Sequence, residues 1–332
     1  GALPEGWDEQ IPNLAAVENE DATRGWSGKI LQGVASRVAN LIGGSADLAG
    51  SNKTTIDHAD NFLPSSPGGR NIHYGIREHA MASIMNGMAL HGGIRPFGGT
   101  FLIFSDYMRP AIRLAALMGQ SVIYIFSHDS IGLGEDGPTH QPIEQLAGLR
   151  AVPNLVVLRP ADATETVEAW KSAIERTNGP TTIAFSRQSL PVIDRSTLAP
   201  ASGVRQGGYT LWESSNAPEV IIIATGSEVH IALDAAGQLA DQGTATRVVS
   251  MPSWEAFEAQ SNEYRESVLP KTVKARVSIE AGVTFGWSRW VGESGIAIGI
   301  DTFGASAPGS TNMEKFGLTA DKVVQAVKKL VG

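Results

Sequence analysis

The stretch SVIYIFSHDSIGLGEDGPTH, residues 121–140, joins a short apolar run to a polar, glycine-rich segment. The run Ser121–Phe126 is typical of a strand that is buried on both faces of a parallel sheet. The segment that follows is too polar and too rich in glycine to be core. Ligand sites of α/β proteins lie just beyond the carboxyl ends of parallel strands. The stretch therefore predicts an α/β fold with a ligand site at one edge of a sheet.

Similar strand-like runs alternate with helical ones along most of the chain. A helix is predicted from Ala22 to Ile42, with apolar residues four apart and a stop at Gly43 and Gly44, and another over 78–91. Further strands are predicted at 155–159, 181–186, 220–225, 247–251, 277–280 and 296–300, and further helices at 164–175, 228–241 and 321–330. This alternation predicts two consecutive α/β domains, each a largely parallel sheet flanked by helices.

Proline, glycine and polar composition predict where these domains begin and end. Residues 1–22 are polar with little periodicity, and we expect a linker-like leader there. The first domain is predicted over 23–190, and the second over 217–332. Between them, residues 191–216 contain Pro191, Pro200, Gly203, Gly207 and Gly208, a composition that favours a linker.

Overall composition excludes several classes of protein. The 332 residues carry a net charge of -8, contain no cysteine and are 42% hydrophobic. There is thus no disulfide framework or thiolate metal site, and nucleic-acid binding is not indicated. No apolar run approaches the roughly 20 residues of a membrane span, and the polar start is not expected to be a signal peptide. We expect a cytoplasmic protein without a membrane partner.

Two segments place polar groups next to small or apolar residues. GGSADLAGS, residues 43–51, would let a backbone approach a ligand closely, although a capped turn has the same composition. Glu78 opens the predicted helix over 78–91, whose apolar face is marked by Met81, Ile84, Met85 and Met88. A carboxyl on that face would be costly unless paired, whereas a first-turn Glu is favoured by the helix dipole. Both interpretations of Glu78 remain open at this point.

An aromatic stripe lies between these segments and the loop at 127–140. Phe101, Phe104 and Tyr107 recur every third residue, which predicts that they share one side of a helix, either as core or as a wall for a flat ring. The spacing of His128 and His140 matches no zinc pattern, so no metal ligands are expected in this chain. Arg187 ends the strand predicted at 181–186 and could bind a phosphate.

The motifs resemble, in order and at matching separations, those of the transketolase family. They are GGSADLAGSNKT, IHYGIREHAM, TFLIFSDYMRPAIRLAALM, SHDSIGLGEDGPTHQPIEQL, LRPADATE and SRQ, followed by IIIATGSEVHIAL, RVVSMPS and TFGASAP. The resemblance covers about residues 20–330. It implies a thiamine pyrimidine-binding domain followed by a transketolase C-terminal domain. The implied activity is the transfer of a two-carbon ketol unit between sugar phosphates with thiamine diphosphate.

The resemblance also implies roles for single residues. Glu78 matches the glutamate that hydrogen-bonds the pyrimidine ring nitrogen, and it is expected to be catalytic together with His140. The cofactor-binding positions are expected to be Asp47, Leu48, Glu78, Phe101, Phe104 and Tyr107. The sugar-phosphate positions are expected to be Arg24, Ser51, His128, Asp136, His140 and Arg187.

The family's N-terminal domain, which holds the diphosphate and a Mg or Ca ion, has no counterpart in this chain. We therefore expect a partner, an N-terminal transketolase half, in a homodimer or a heterotetramer, and no activity from the isolated chain. Trp254, Trp287 and Trp290 look exposed and are expected to add interface. Alternatives are a fragment or subunit of dihydroxyacetone synthase, 1-deoxyxylulose-phosphate synthase or a 2-oxoacid dehydrogenase, or a non-catalytic assembly subunit. The block at 127–140 with SRQ favours transketolase over the last two enzymes.

Overall fold

The computed structural model describes residues 2–15, 17 and 19–332. Its strands are β1 (Asp21–Ala22), β2 (Leu41–Ser45), β3 (Asn71–His73), β4 (Arg95–Phe101), β5 (Ile123–Ser127), β6 (Val156–Leu158), β7 (Thr181–Phe185), β8 (Ser189–Leu190), β9 (Tyr209–Glu213), β10 (Val220–Ala224), β11 (Thr246–Ser250), β12 (Ala275–Ile279) and β13 (Ile296–Ile298).

The helices cover both faces of the larger sheets. They are α1 (Thr23–Arg37), α2 (Ala49–Asn52), α3 (Glu78–His91), α4 (Ser105–Leu117), α5 (Gln145–Arg150), α6 (Ala163–Glu175), α7 (Glu228–Asp241), α8 (Trp254–Glu258), α9 (Asn262–Val268), α10 (Ser288–Val291), α11 (Gly309–Lys315) and α12 (Ala320–Val331). Three short 3₁₀ turns lie at Leu102–Phe104, Ile131–Leu133 and Ala201–Gln206.

Two α/β sheets organise the chain, as the sequence predicts. The first has six strands in the order β3-β2-β4-β5-β7-β6, all parallel. The second has five strands in the order β13-β12-β10-β11-β9, parallel except for β9. The central strands β5 and β10 are buried along their whole length, because helices cover both faces of each sheet. The α/β class and the two sheets are confirmed.

The first predicted helix is too long. Helix α1 ends at Arg37, and Ile42 lies in strand β2 together with Gly43 and Gly44. These glycines allow neighbouring strands to approach. A methyl group on Gly43 would lie 1.9 Å from the carbonyl oxygen of Phe97, and one on Gly44 equally close to that of Ile72. The glycines thus permit close strand packing and do not mark a helix end.

Two further side-chain predictions are wrong. Ile84 is exposed, because the buried side of α3 consists of Glu78, Met81, Ala82, Met85 and Asn86. The three tryptophans that were expected to be exposed are buried: Trp254, Trp287 and Trp290 pack edge-on or tilted within the core of the second domain. They are therefore not available as interface.

The segments expected to be connectors carry structure of their own. In the leader, Leu14 is buried against the first domain, and Asp21–Ala22 pairs antiparallel with Ser189–Leu190. Within 191–216, Tyr209–Glu213 forms the antiparallel edge strand of the second sheet. No helix among the described residues is long and apolar enough to cross a membrane.

Candidate active site

The candidate residues gather at the carboxyl edge of the first sheet. Asp47 follows β2, Glu78 follows β3, Phe101 ends β4, His128 follows β5 and Arg187 follows β7. Neighbouring parallel strands end at the same edge, which is where α/β proteins bind ligands. Sheet topology therefore brings together residues that are up to 140 positions apart in the sequence.

An open cleft of about 780 Å³ lies at this edge. Glu78, the first residue of α3, is 8% exposed and faces the cleft. Among the described residues, its carboxyl group has no hydrogen-bond or ion-pair partner. The carboxyl oxygens are open to the cleft, so a ligand bound there can supply the hydrogen bond that the protein does not. The lining consists of Ala46, Asp47, Leu48, Ile76, Arg77, Glu78, His79, Ala80, Phe104 and Tyr107.

The three aromatic residues form an aromatic wall, but they do not share a helix. Phe104 and Tyr107 line the cleft, and Phe101 packs beside Phe104 without lining it. Phe101 ends strand β4, Phe104 ends a 3₁₀ turn, and Tyr107 lies in α4. Their period of three therefore arises across a strand, a turn and a helix. The rings are still neighbours, with centroids of Phe101 and Phe104 5.8 Å apart and those of Phe104 and Tyr107 6.1 Å apart. The predicted helical stripe is wrong, whereas the predicted proximity is correct.

Both histidines adjoin this aromatic wall. The ring of His128 stacks on Phe101 with centroids 3.6 Å apart, and His140 meets Phe104 edge-on at 5.6 Å. The wall thus connects the cleft beside Glu78 with the polar cluster around His128. A ligand that occupies both would place a flat ring near Phe104 and a polar group near the histidines.

A chain of hydrogen bonds fixes the ring of His128. Ser127 Oγ donates to Asn52 Oδ1 at 2.6 Å and lies 2.8 Å from His128 Nδ1. Asn52 Nδ2 in turn donates to Ser45 Oγ at 2.8 Å. Because the Ser127 proton is directed at Asn52, His128 Nδ1–H is the donor to Ser127, and Nε2 is left as an acceptor.

The surroundings keep His128 neutral. Burial, the positive charges of Arg24 and Arg187, and nearby His140 lower the pKa of His128 from 6.5 to about 3. The backbone of His128 is left-handed, with φ of 61°, which is uncommon for a non-glycine residue. Such strain is found mostly at functional sites.

Two arginines converge on this histidine. Burial, followed by the positive charge of Arg187, lowers the pKa of Arg24. The negative charges of Asp21 and Asp136 raise this pKa but do not outweigh the decrease. Arg24 Nη1 donates to the backbone carbonyl of Ser51 at 2.8 Å. Arg187 is exposed and has no partner among the described residues, so its guanidinium is free to bind an anion.

The remaining predicted residues lie around the same edge. Asp47 is exposed with φ of 61°, and Leu48 is the residue directly before α2. Thr139 Oγ1 lies 2.9 Å from His140 Nδ1. Asp136 and Arg187 border a second cavity of about 580 Å³, whose far side belongs to the second domain.

A buried charge cluster behind the site was not foreseen. Arg159 is fully buried and donates to Asp129 at 2.9 Å and to Glu228 of the second domain. Glu280 accepts two hydrogen bonds from Arg150. Burial raises the pKa of Glu280, but the charge and hydrogen bonds of Arg150 outweigh this effect and lower the pKa to about 2. Arg159 is part of the motif LRPADATE, but no local pattern links it to its partners, of which Thr225 and Glu228 lie in the second domain.

The described residues suit only part of thiamine diphosphate. The aromatic wall and the unpartnered Glu78 carboxyl fit an aminopyrimidine ring. Among the residues described, no group of three or more His, Cys, Asp or Glu could hold a metal ion. The basic side chains of the cleft lining are those of Arg77 and His79.

Comparisons with known proteins identify the two domains. The family model described as the transketolase pyrimidine binding domain matches residues 20–192, and the transketolase-like C-terminal domain matches residues 207–319. A transketolase of Geobacillus stearothermophilus is 52% identical over the whole chain, which spans 50% of that relative's length.

Solved structures give the same result. A transketolase from Leishmania mexicana superposes with a TM-score of 0.93 at 43% identity, covering 99% of this chain and 48% of its own. A structure described as a split gene transketolase, inactive beta4 tetramer, has a TM-score of 0.74 at 28% identity and covers 94% of this chain and 99% of its own.

The fold and the matched domains define the pyrimidine-binding and C-terminal parts of a thiamine-dependent transferase. The chain belongs to the transketolase family and corresponds to its C-terminal half, as the motifs imply. This family uses thiamine diphosphate and a divalent metal. The chain spans about half the length of the curated relatives that it matches.

Proposed function

We propose that this chain is the substrate- and pyrimidine-binding half of a transketolase that transfers a two-carbon ketol unit between sugar phosphates. The observation that carries the proposal is the unpartnered Glu78 carboxyl in an aromatic cleft. When bound, thiamine diphosphate supplies the reactive carbon that accepts the ketol unit. The proposed site of action is the cytoplasm.

Each predicted site residue has a task in this proposal. Glu78 exchanges a proton with the pyrimidine ring nitrogen, which requires a carboxyl shielded from water. Phe101, Phe104 and Tyr107 form the wall for the ring, and Asp47 and Leu48 close its other end. His140, the second catalytic residue, and Asp136 bind sugar hydroxyls. Arg24, Ser51 and Arg187 hold the phosphate group, because arginine pairs well with a dianion. His128 joins them by taking up a proton as the dianion binds, since its Nε2 is otherwise an acceptor.

The partner is proposed to be the N-terminal half, which supplies the diphosphate and metal ligands, Mg or Ca. Helices α3 and α4 pack together and leave apolar side chains in solvent. Leu117 is 71% exposed, Leu90 57%, Ile84 49% and Leu114 48%. This is an unusual exposure for large apolar residues on neighbouring helices, and it favours a covering protein. The partner that fits this surface is the N-terminal half, which is the part of the curated relatives that this chain does not span.

We propose that this chain forms a homodimer, or that it forms a heterotetramer with the N-terminal half. The proposed domains are residues 23–190 and 217–332. Strand β9 is assigned to the second domain, because it pairs with β11 at the edge of that sheet. Cyclic two-fold assemblies are the commonest, and a cleft open on one side is completed by such pairing.

Reconstitution tests the proposal. Titration calorimetry with thiamine diphosphate and magnesium is expected to show weak binding by the chain alone. Adding the N-terminal half should produce tight binding and ketol transfer from xylulose 5-phosphate to ribose 5-phosphate. Tight, metal-dependent binding by the chain alone would contradict the need for a partner. A tightly assembled pair without ketol transfer would favour a non-catalytic assembly subunit.

A further inference from the structure

One segment of the second domain lies directly against the loop that carries Asp136 and His140. We call residues 131–141 the substrate loop and residues 304–313 the support segment. Ser306 Oγ donates to the carbonyl oxygen of Glu135 at 2.5 Å. Gln141 Nε2 donates both to Gly134 within the loop, at 2.9 Å, and to Ala305 of the support segment, at 3.0 Å.

The buried side-chain amide of Asn312 contacts both segments. Asn312 is 2% exposed. Its two Nδ2 hydrogens are shared among three carbonyl oxygens, those of Ala305 at 2.9 Å and Ala307 at 3.2 Å in the support segment and that of Ile131 at 3.4 Å in the substrate loop. The side chain of Asn312 thus fixes the shape of its own segment and the start of the loop.

The backbones of the two segments approach closely at Gly309 and Gly132. A methyl group on Gly309 would lie 2.3 Å from the carbonyl oxygen of Gly132, which is closer than real side chains ever come. The loop itself contains only a 3₁₀ turn, and Gly134 and Gly137 have positive φ. A glycine-rich loop of this kind costs conformational entropy to order, so an external support matters for its position.

We propose that the support segment positions the substrate loop, with Gly309 and Asn312 as positioning residues. The second domain would then control how well sugar phosphates bind and react, although it contributes nothing to the cleft beside Glu78. This inference rests on the proposed function of Asp136 and His140. It assigns a task to the segment TFGASAP that the candidate site alone does not explain.

Gly309→Ala tests the inference, because it displaces the loop without removing a hydrogen bond. In the enzyme assembled with the N-terminal half, kcat/KM for sugar phosphates is expected to fall at least roughly tenfold. The reason is that a displacement of substrate-positioning groups by about 1 Å can lower the rate up to about a hundredfold. Proton exchange at the cofactor's reactive carbon should keep its wild-type rate, because it depends on Glu78. The matched control is Gly237→Ala in α7, where a methyl group meets nothing within 4 Å.

A second measurement separates positioning from activity. Amide hydrogen exchange of residues 131–141 in the chain itself is expected to accelerate in Gly309→Ala and to stay unchanged in Gly237→Ala. If Gly309→Ala does not fold, Ser306→Ala at the exposed contact replaces it, with a several-fold loss of kcat/KM and faster loop exchange.

The outcomes are distinguishable from those of the proposed function. A reconstituted wild type without ketol transfer contradicts the proposed function, and the loop exchange still decides whether the support exists. Unchanged loop exchange overturns the inference. Wild-type kcat/KM in the variants, or equal losses of kcat/KM and cofactor proton exchange, also overturns it.

Discussion

The imidazole of His128 stacks on the ring of Phe101, with 3.6 Å between the ring centroids. The stack holds a neutral histidine beside two arginines in a site otherwise suited to anions. Because a neutral ring tolerates burial, the histidine can stay in the core while Arg24 and Arg187 carry the charge.

Folding stability should report this neutral state. The pKa of His128 is lowered to about 3 in the folded chain, below its usual 6.5. Between these values the unfolded chain binds the additional proton, so stability is lost as pH falls. We expect the stability advantage of wild type over His128→Gln to shrink by about 1.4 kcal/mol per pH unit below about 6.5. Urea unfolding of both chains at pH 5, 6 and 7 measures it, and parallel curves would contradict the prediction.

Glu78→Gln is expected to remove catalysis and spare the fold. Without a carboxyl that exchanges a proton with the pyrimidine nitrogen, deprotonation of the cofactor's reactive carbon should slow by several orders of magnitude. The unfolding free energy should fall by no more than about 1 kcal/mol, because the carboxyl has no partner to lose. Quenched-flow hydrogen–deuterium exchange followed by proton NMR on the assembled enzyme gives the rate. Glu293→Gln, at an exposed position, is the control. Exchange at the wild-type rate would return Glu78 to a helix-start role.

Arg187→Ala is expected to affect phosphorylated substrates selectively. Loss of a charged hydrogen-bond partner costs about 1.5–3 kcal/mol, which is roughly ten- to hundredfold in KM. Hydroxypyruvate, a donor without phosphate, should be nearly unaffected. Steady-state kinetics of the assembled enzyme with both donors decide, with Arg205→Ala, whose guanidinium pairs with Glu168 and Glu175, as control. Equal losses for both donors would remove Arg187 from the phosphate site.

Arg159→Met is expected to be the most destabilising of these substitutions. It leaves the carboxylates of Asp129 and Glu228 buried without their cation, which typically costs about 3–5 kcal/mol. Adding Asp129→Asn and Glu228→Gln should recover part of the loss. Denaturant unfolding is the measurement. Arg289→Met breaks an exposed pair with Glu258 and should cost less than about 1 kcal/mol. Similar effects of Arg159→Met and Arg289→Met would contradict the prediction.

The sequence predicted the apolar central strands best. Strands β5 and β10 and helices α3, α6, α7 and α12 lie within about two residues of their predictions, because uninterrupted apolar runs and helical periodicity are local signals. Strand β4, RPFGGTF, was not predicted. Its Gly98 lies under Met85, where a methyl group would be 2.7 Å from the sulfur, so the glycine serves packing that only the fold reveals.

The candidate site was predictable where a motif carried it. The positions of His128 and Arg187 follow from predicted strand ends and that of Glu78 from a predicted helix start, and local patterns locate both. The cluster of Arg159 with Glu228 and the contact of Asn312 with Ile131 join residues of different domains, so no local pattern could show them. Their partners become known only once the two sheets are placed side by side.

The hydrogen bonds between Thr23 and Ser186 have a consequence for the order in which the first domain folds. The amide of Thr23 donates to Ser186 Oγ at 3.0 Å, and that of Ser186 to Thr23 Oγ1 at 2.7 Å, across 163 positions of sequence. Contacts this distant form slowly, since loop-closure entropy must be overcome first. Arg24 and Arg187 follow these two residues directly, so the pair of arginines proposed to bind phosphate is completed only when the chain ends of the domain meet. A chain in which those ends have not met would therefore lack the proposed phosphate site.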